Sequence, residues 1–324
     1  MPLPSKVDYS SFISFVRQQG WGACGMFAEA ACIDIIREKD CPYSPNVSVN
    51  RMLWAWSRSL HKELGDDLGR PCDDLDDYLF LNGCPTEGSE LTDSNAIKWP
   101  TDEGSWEAKY FKILKPVKIP LTLSDIKKYL AEKGPVRVSL PAKYFGFSGE
   151  GHFIALIGYD DASQQFRYIN SWSDRWGDNG YGDISYNDLM KYTDEAVFYS
   201  PKPSDVKSVP AVRIKLTQEE GRQNVHLLLG IEGRPSAVTI WPSGQRDDKS
   251  RLLEYTVMAP RGFVWPPSST NRIYLEIYDT SETGGKLERF CAAFCGQVVE
   301  CLQLLINGPL EFKPHQVYRL TIPY

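Results

Sequence analysis

The hydrophobic pattern changes period at Gly134 and again beyond residue 200, and this double switch leaves few architectures open. Before Gly134 the apolar residues recur at helical spacing. In "MFAEAACIDIIREK" (26–39), Met26, Phe27, Ala30, Ala31, Ile33, Ile35 and Ile36 predict a helix whose alanines let a neighbour approach closely. Such a helix belongs at the centre of a core. Further helices are predicted over Val49–Leu60, with Met52, Leu53, Trp56 and Leu60 on one face and Trp54 off it, and over Asp73–Leu81, stopped by Asn82-Gly83. "TLSDIKKYLAEKG" predicts a short helix capped by Ser124 and closed at Gly134. After Gly134 the pattern becomes that of strands: "PVRVSL" alternates, "HFIALIGYD" is a buried apolar run, and "FRYINSW" follows the turn "DASQQ". Helices first and strands second make an α+β unit with a helical and a β-rich part, and room for a cleft between them.

The second switch follows "SPKPSDVKSVP" (200–210), whose proline, serine and lysine mark a linker. Beyond it come short runs such as "AVRIKL", "VHLLLG", "LLEYTV", "RIYLEIYD" and "VYRLTI", separated by turn-rich stretches. Strands at this spacing predict an all-β sandwich. Residues 285–305 are also compatible with a helix. With 324 residues, two domains are expected, at 1–203 and 207–324. The second domain reads equally as a stabilising appendage or as an arm for a substrate, glycan or partner.

Several function classes are disfavoured at once. The net charge of −6 argues against a general nucleic-acid or anionic-membrane role. No apolar run reaches the roughly 18–20 residues of a spanning helix. "MPLPSKVDYSSF" lacks the basic-then-apolar pattern of a signal peptide, so a cytosolic protein or a processed form is expected. Of the eight cysteines none forms a Cys-x-x-Cys pair, and no histidine stands near a cysteine pair, so mostly reduced thiols and no metal site are expected. A Cys72–Cys84 bridge stays open. Cys291, Cys295 and Cys301 read as buried thiols, with a disulfide or metal site as the alternative.

Three residues form a pattern only when taken together. Cys24, in "RQQGWGACGMF", sits behind a glycine-rich turn at a helix start, with Gln18 six residues upstream. Most such thiols are small buried apolar groups. His152, in "GEGHFIALIGYD", heads a strand, where a histidine is more often structural. Asn170, in "YINSWSDRWGDNGYGDISY", ends a strand and could simply cap a turn. Their order and spacing say more: His152 lies 128 residues and Asn170 146 residues after Cys24. A nucleophilic cysteine followed by histidine and asparagine at such distances is one known layout of a thiol hydrolase.

On these blocks the chain resembles the papain-like (C1 family) cysteine peptidases over about residues 4–200. The family's Q-G-x-C-G-S-C-W-A-F is matched by "QQGWGACGMF", its H-A-V-x-x-V-G-Y-G by "HFIALIGYD", and its N-S-W-G-x-x-W-G-x-x-G-Y by "NSWSDRWGDNGY". The resemblance implies a papain-like two-lobed fold, with a β-rich domain after it. It also implies hydrolysis of peptide bonds, as an endopeptidase, through a thioester acyl-enzyme, with a protein or peptide as substrate and no cofactor. By position it gives Cys24 as nucleophile, His152 as base, Asn170 as the group orienting the histidine, Gln18 as the oxyanion-hole side chain, and Trp172 as the indole over the His–Asn bond. Ser139, Gly151 and Phe153 would line the pocket for an apolar side chain two positions before the scissile bond, with Phe153 making it shallow. Gly69 and Arg70 stand where the family has its cleft-bordering G-C-x-G-G.

The chain departs from the family pattern at Gly25, where a tryptophan is usual, and at Trp21, where a cysteine is usual. Two other readings remain: a catalytically silent binding module on the same fold, and a dedicated processing enzyme or exopeptidase whose β domain selects the substrate.

Overall fold

The computed structural model describes residues 2–19, 22–60, 73–86, 105, 107–149, 151–202, 210–220, 224–234, 237–240, 252–294, 297–300 and 308–323. A short strand β1 (Lys6–Asp8) is followed by the helices α1 (Cys24–Asp40), α2 (Val49–Leu60) and α3 (Asp73–Asn82). Helix α1 is buried almost all round. Met26, Phe27, Ala30, Cys32, Ile33, Ile35 and Ile36 are inside, and so are Glu29, Asp34 and Arg37. Its last turn carries Arg37 and Lys39, which suit the negative end of the helix dipole. On α2, Met52 and Leu53 enter the core as expected, and the off-stripe Trp54 packs at its edge against Tyr78 of α3, ring edge to face at 6.2 Å.

The β-rich part then follows: β2 (Val117–Lys118), α4 (Leu123–Glu132), β3 (Val136–Leu140), β4 (His152–Asp160), β5 (Gln165–Ile169), β6 (Tyr181–Ser185), α5 (Tyr186–Tyr192) and β7 (Ala196–Phe198). The strands form one antiparallel sheet in the order β2-β7-β3-β4-β5-β6, with β1 joining β4. Strand β4 is central and buried along its length, which is why it reads as a continuous apolar run. Its alternate residues face two cores. Phe153, Ala155 and Ile157 share a cluster with α1 and α2, whereas Ile154 and Leu156 pack with Ile126 and Leu130 of α4 and Leu189 of α5. Strand β1 can lie against β4 because Gly158 has no side chain: a Cβ there would stand 2.1 Å from the Val7 carbonyl oxygen.

Helix α4 begins two residues earlier than its sequence suggests, and the cap is therefore Thr122 rather than Ser124. The Thr122 backbone is extended and its hydroxyl accepts from the Asp125 amide at 3.1 Å. Thr122→Ala is expected to lower unfolding stability by about 1 kcal/mol. Ser124→Ala should stay within about 0.5 kcal/mol of wild type. Urea midpoints of the two variants test the assignment.

The C-terminal part is all β: β8 (Ala211–Gln218), β9 (Val225–Ile231), β10 (Ala237–Ile240), β11 (Leu252–Met258), β12 (Ile273–Asp279), β13 (Gly285–Phe294), β14 (Gln297–Glu300), β15 (Leu310–Phe312) and β16 (Val317–Thr321). Two antiparallel sheets, β10-β9-β12-β16 and β11-β8-β13-β14 with β15 on β13, face each other. Val212, Ile214 and Leu216 from one and Leu227, Leu229 and Leu275 from the other share a single apolar core. The ambiguous stretch from 285 resolves as the hairpin β13–β14, not a helix. Leu287, Phe290 and Ala292 enter that core, and pairing of β13 with β8 and β14 makes the stretch a strand rather than a helix. The linker at 203–209 and the cysteines Cys72, Cys295 and Cys301 lie outside the described residues, so the domain division and the Cys72–Cys84 pairing do too. Among the described residues no helix is long and apolar enough to cross a membrane.

Candidate active site

Cys24 is the first residue of α1, directly after the N-cap Ala23. The opening amides of a helix have no partner within it and carry the positive end of its dipole, which favours a thiolate at that position. The first turn of α1 holds no acidic side chain to oppose this. Cys24 is 8% exposed and packs in the cluster that includes Ala23, Phe27, Phe153 and Ile169. The last two directly follow His152 and directly precede Asn170 in sequence.

His152 is 1% exposed at the start of β4. Its Nε2 lies 2.7 Å from Asn170 Oδ1. The same oxygen accepts the Ser171 amide at 2.8 Å. An amide N–H can only donate, so the atom facing it is the carbonyl oxygen, and Nε2 must carry the proton it gives that oxygen. The tautomer therefore leaves Nδ1 as the nitrogen with a lone pair. Burial pushes the imidazole down to about 4, with the Asn170 bond working in the opposite direction. At neutral pH the ring is uncharged and able to take a proton.

Trp172 stacks on the imidazole at 4.5 Å between centroids and 25° between planes. Sequence reading missed the rest of this enclosure. Phe145 meets the imidazole edge-on at 4.9 Å and the Trp172 ring at 5.5 Å, and Phe147 approaches both from 6.0 and 5.5 Å. Both phenylalanines come from the segment before β4. A single 3-10 turn, Ala142–Phe145, ends at Gly146 with φ 82°, a left-handed bend that turns Phe147 back toward the ring. The signal was present in "KYFGFSGEGH", but two aromatics around a glycine read equally as ordinary core.

Gln18 lies on an extended segment that pairs with the residues just after Asn170. Gln18 bridges Trp172 in antiparallel fashion, the Gln19 amide donates to the Ser171 carbonyl at 2.7 Å, and the Ser173 amide donates to the Arg17 carbonyl at 3.1 Å. The glutamine and the asparagine are thus carried by one short ribbon.

The remaining expected site residues are dispersed or buried. Ser139 and Phe153 are direct partners on β3 and β4, so they share the face that α1 covers, and they are 1% and 4% exposed. The Ser139 hydroxyl donates to the Asp194 carboxylate, and the Phe153 ring lies under the Arg137 guanidinium at 4.9 Å. Gly151 precedes β4 and is half-buried, while Gly69 and Arg70 fall outside the described residues.

With this geometry in view, comparison with known proteins is informative. Residues 88–194, a span that contains His152 and Asn170 and begins after Cys24, match the model of the Peptidase_C39 like family. A 78-residue stretch is 35% identical to a cysteine proteinase of Trypanosoma brucei brucei, covering 20% of this chain and 17% of that protein's length. Among solved structures the chain resembles xylellain, a cysteine protease from Xylella fastidiosa, with a TM-score of 0.53 and 22% identity over 61% of this chain and 87% of that one. It also resembles digestive procathepsin L 3 of the Tenebrio molitor larval midgut, with a TM-score of 0.50 and 18% identity over 62% of this chain and 71% of the other. A structure from a study of the mite allergens Blo t 1 and Der p 1 aligns with a TM-score of 0.52 and 16% identity, over 62% and 72%. The fold is that of the papain-like cysteine peptidases, with two further β sheets.

Proposed function

We propose that this chain, papain-like in fold, hydrolyses peptide bonds with Cys24 as nucleophile, His152 as base and Asn170 as the residue that orients it. The observation that carries the reading is the 2.7 Å bond between His152 Nε2 and Asn170 Oδ1, which leaves Nδ1 to take the thiol proton. The thiolate attacks the carbonyl carbon of the substrate, and the oxyanion that forms accepts hydrogen bonds from the Gln18 amide and the Cys24 backbone N–H. As the tetrahedral species collapses, the imidazolium returns its proton to the leaving amine and a thioester remains. Water, deprotonated by the same imidazole, then releases the acid and restores the thiol. The aromatic enclosure around His152 keeps bulk water from the ring and lowers the local dielectric, which strengthens each of these interactions. The substrate is a peptide or a protein; cleavage within chains rather than from their ends is taken over from the resemblance.

A thiol-directed epoxide tests the reading. It should label one residue, Cys24, and hydrolysis should fall in step with labelling. Its pH dependence follows from His152. Above about 4 the ring is neutral and can accept the thiol proton. As pH falls through that value the ring already holds a proton, no thiolate forms, and labelling and hydrolysis both decline. Labelling spread over several cysteines, or a rate that keeps rising below pH 4, would contradict it.

A further inference from the structure

We infer that the C-terminal β sheets are a working part of this catalytic centre: they hold the Gln18 segment in place through Phe15 and Arg17. The inference rests on the reading of Gln18 as an oxyanion donor.

The segment from Ile13 to Gln19 has no regular structure of its own beyond the bridge at Gln18. Val16 packs into the N-terminal core, and a cavity of about 30 Å³ is lined among others by Phe15, Arg17, Asp34, Asn46, Asn170 and Ser171. The position of Gln18 therefore depends on what tethers its neighbours.

One tether is apolar. Phe15 belongs in sequence to the N-terminal part, yet it is 5% exposed and counts among the core residues of the C-terminal sheets, with Val212, Ile214 and Leu216. The other tether is polar and closes a circuit. The Arg17 guanidinium lies over the Phe15 ring at 4.7 Å, and its Nη2 donates to Asp34 Oδ2 at 2.7 Å and to the Val47 carbonyl at 3.1 Å. Asp34 also accepts from Asn46 Nδ2 at 3.1 Å and from the Val47 amide at 2.9 Å. Asn46 in turn is bound to β11: its Oδ1 accepts the Thr256 amide at 2.8 Å, and its own amide donates to the Thr256 carbonyl at 2.7 Å. The Thr256 hydroxyl accepts from Arg213 Nε on β8 at 2.7 Å, and Arg213 Nη2 reaches Glu38 of α1 at 2.7 Å. Arg17, Asp34, Asn46 and Thr256 are all buried. A buried charge network tolerates few arrangements, because leaving any member unpaired is costly.

Gln18 is caught between these tethers and the candidate site. Phe15 packs among the sheets, and Arg17 binds Asp34 and the Val47 carbonyl, three residues and one residue before Gln18. The Arg17 side chain is fixed by the network, and its carbonyl by Ser173. Displacing Phe15 or Asn46 moves the backbone that carries Gln18, and a misplacement of the order of 1 Å can cost roughly 10²-fold in rate.

The test is a cycle on the full chain: Phe15→Ala, Gln18→Ala and the pair. Each is assayed for kcat and KM on a small peptide substrate and for the rate of Cys24 alkylation by iodoacetamide. Alkylation passes through no oxyanion and reports only that the thiolate and the fold persist. Phe15→Ala should lower kcat by roughly 10–10²-fold with KM and alkylation little changed, and Phe15→Leu should recover most of the loss. In the Gln18→Ala background, itself down by roughly 10²–10³-fold, Phe15→Ala should add almost nothing. Arg289→Ala, which removes a hydrogen bond to Tyr43 elsewhere on the same interface, should leave kcat unchanged. If Phe15→Ala does not fold, Asn46→Ala enters the same cycle with Phe15 in place. Multiplicative losses, or an unchanged kcat in both variants, overturn the inference. A Gln18→Ala enzyme at wild-type rate overturns instead the reading on which it rests.

Discussion

Cys24→Ala is expected to fold like wild type and to lose hydrolysis by roughly 10⁴-fold or more. The two halves of this expectation have separate causes. Cys24 opens α1 with only its sulfur to lose, and alanine is the strongest helix former, so the helix start keeps its propensity. Cys24 shares a core cluster with Ala23, Phe27 and Phe153, so removing its sulfur leaves a void of one atom. Chemistry has no such reserve. No covalent intermediate can form, and what remains is the binding and charge stabilisation that the site offers to a water molecule. The measurement is turnover of a fluorogenic peptide beside a thermal unfolding curve. An unchanged unfolding curve with turnover at the wild-type rate would sink the proposal, since no other residue is assigned to attack the carbonyl.

The sequence made the helix–strand order readable because each element there carries the pattern of its own burial. Strand β4 is apolar throughout because both of its faces are covered, and α1 is alanine-rich because neighbours crowd it. Cys24, His152 and Asn170 could be found because their spacing is a long-range pattern carried by three short local motifs. What stayed hidden was whatever depends on a partner remote in sequence. Phe15 looks like any core phenylalanine of its own half, yet its cluster mates are about two hundred residues away. Asn46 shows no local sign that its amide will meet Thr256. The cap of α4 was misplaced for a smaller reason: Thr122 and Ser124 are both good caps, and only the backbone dihedrals tell which one precedes the first helical residue. The β unit has Phe15 in its core and Arg213 paired with Glu38, contacts to the N-terminal part that no local pattern in its strands marks.

His152→Ala is expected to be nearly as damaging as Cys24→Ala, whereas Asn170→Ala should lose only roughly 10–10²-fold, a fraction of the 10²–10⁴-fold that a positioned acid–base group typically contributes. Without the imidazole nothing takes the thiol proton and nothing returns one to the leaving amine, so both halves of the cycle fail. Asn170 does less. It accepts the Nε2 proton and so fixes the tautomer, but it does not hold the ring alone. Trp172 stacks on one face of the imidazole, and Phe145 and Phe147 close against it from the side, so most rotations of His152 are blocked even without the amide. Removing Asn170 also takes away the bond to the Ser171 amide, at the root of the ribbon that carries Gln18, so a modest loss of stability should accompany the kinetic one. The pH profile separates the two effects. The Asn170 bond favours the charged imidazole. Without it the ring's pKa drops further, and the acid limb of activity should move below its wild-type position near 4. An acid limb that moves up in Asn170→Ala, or a loss equal to that of His152→Ala, would mean that Asn170 serves the fold rather than the histidine.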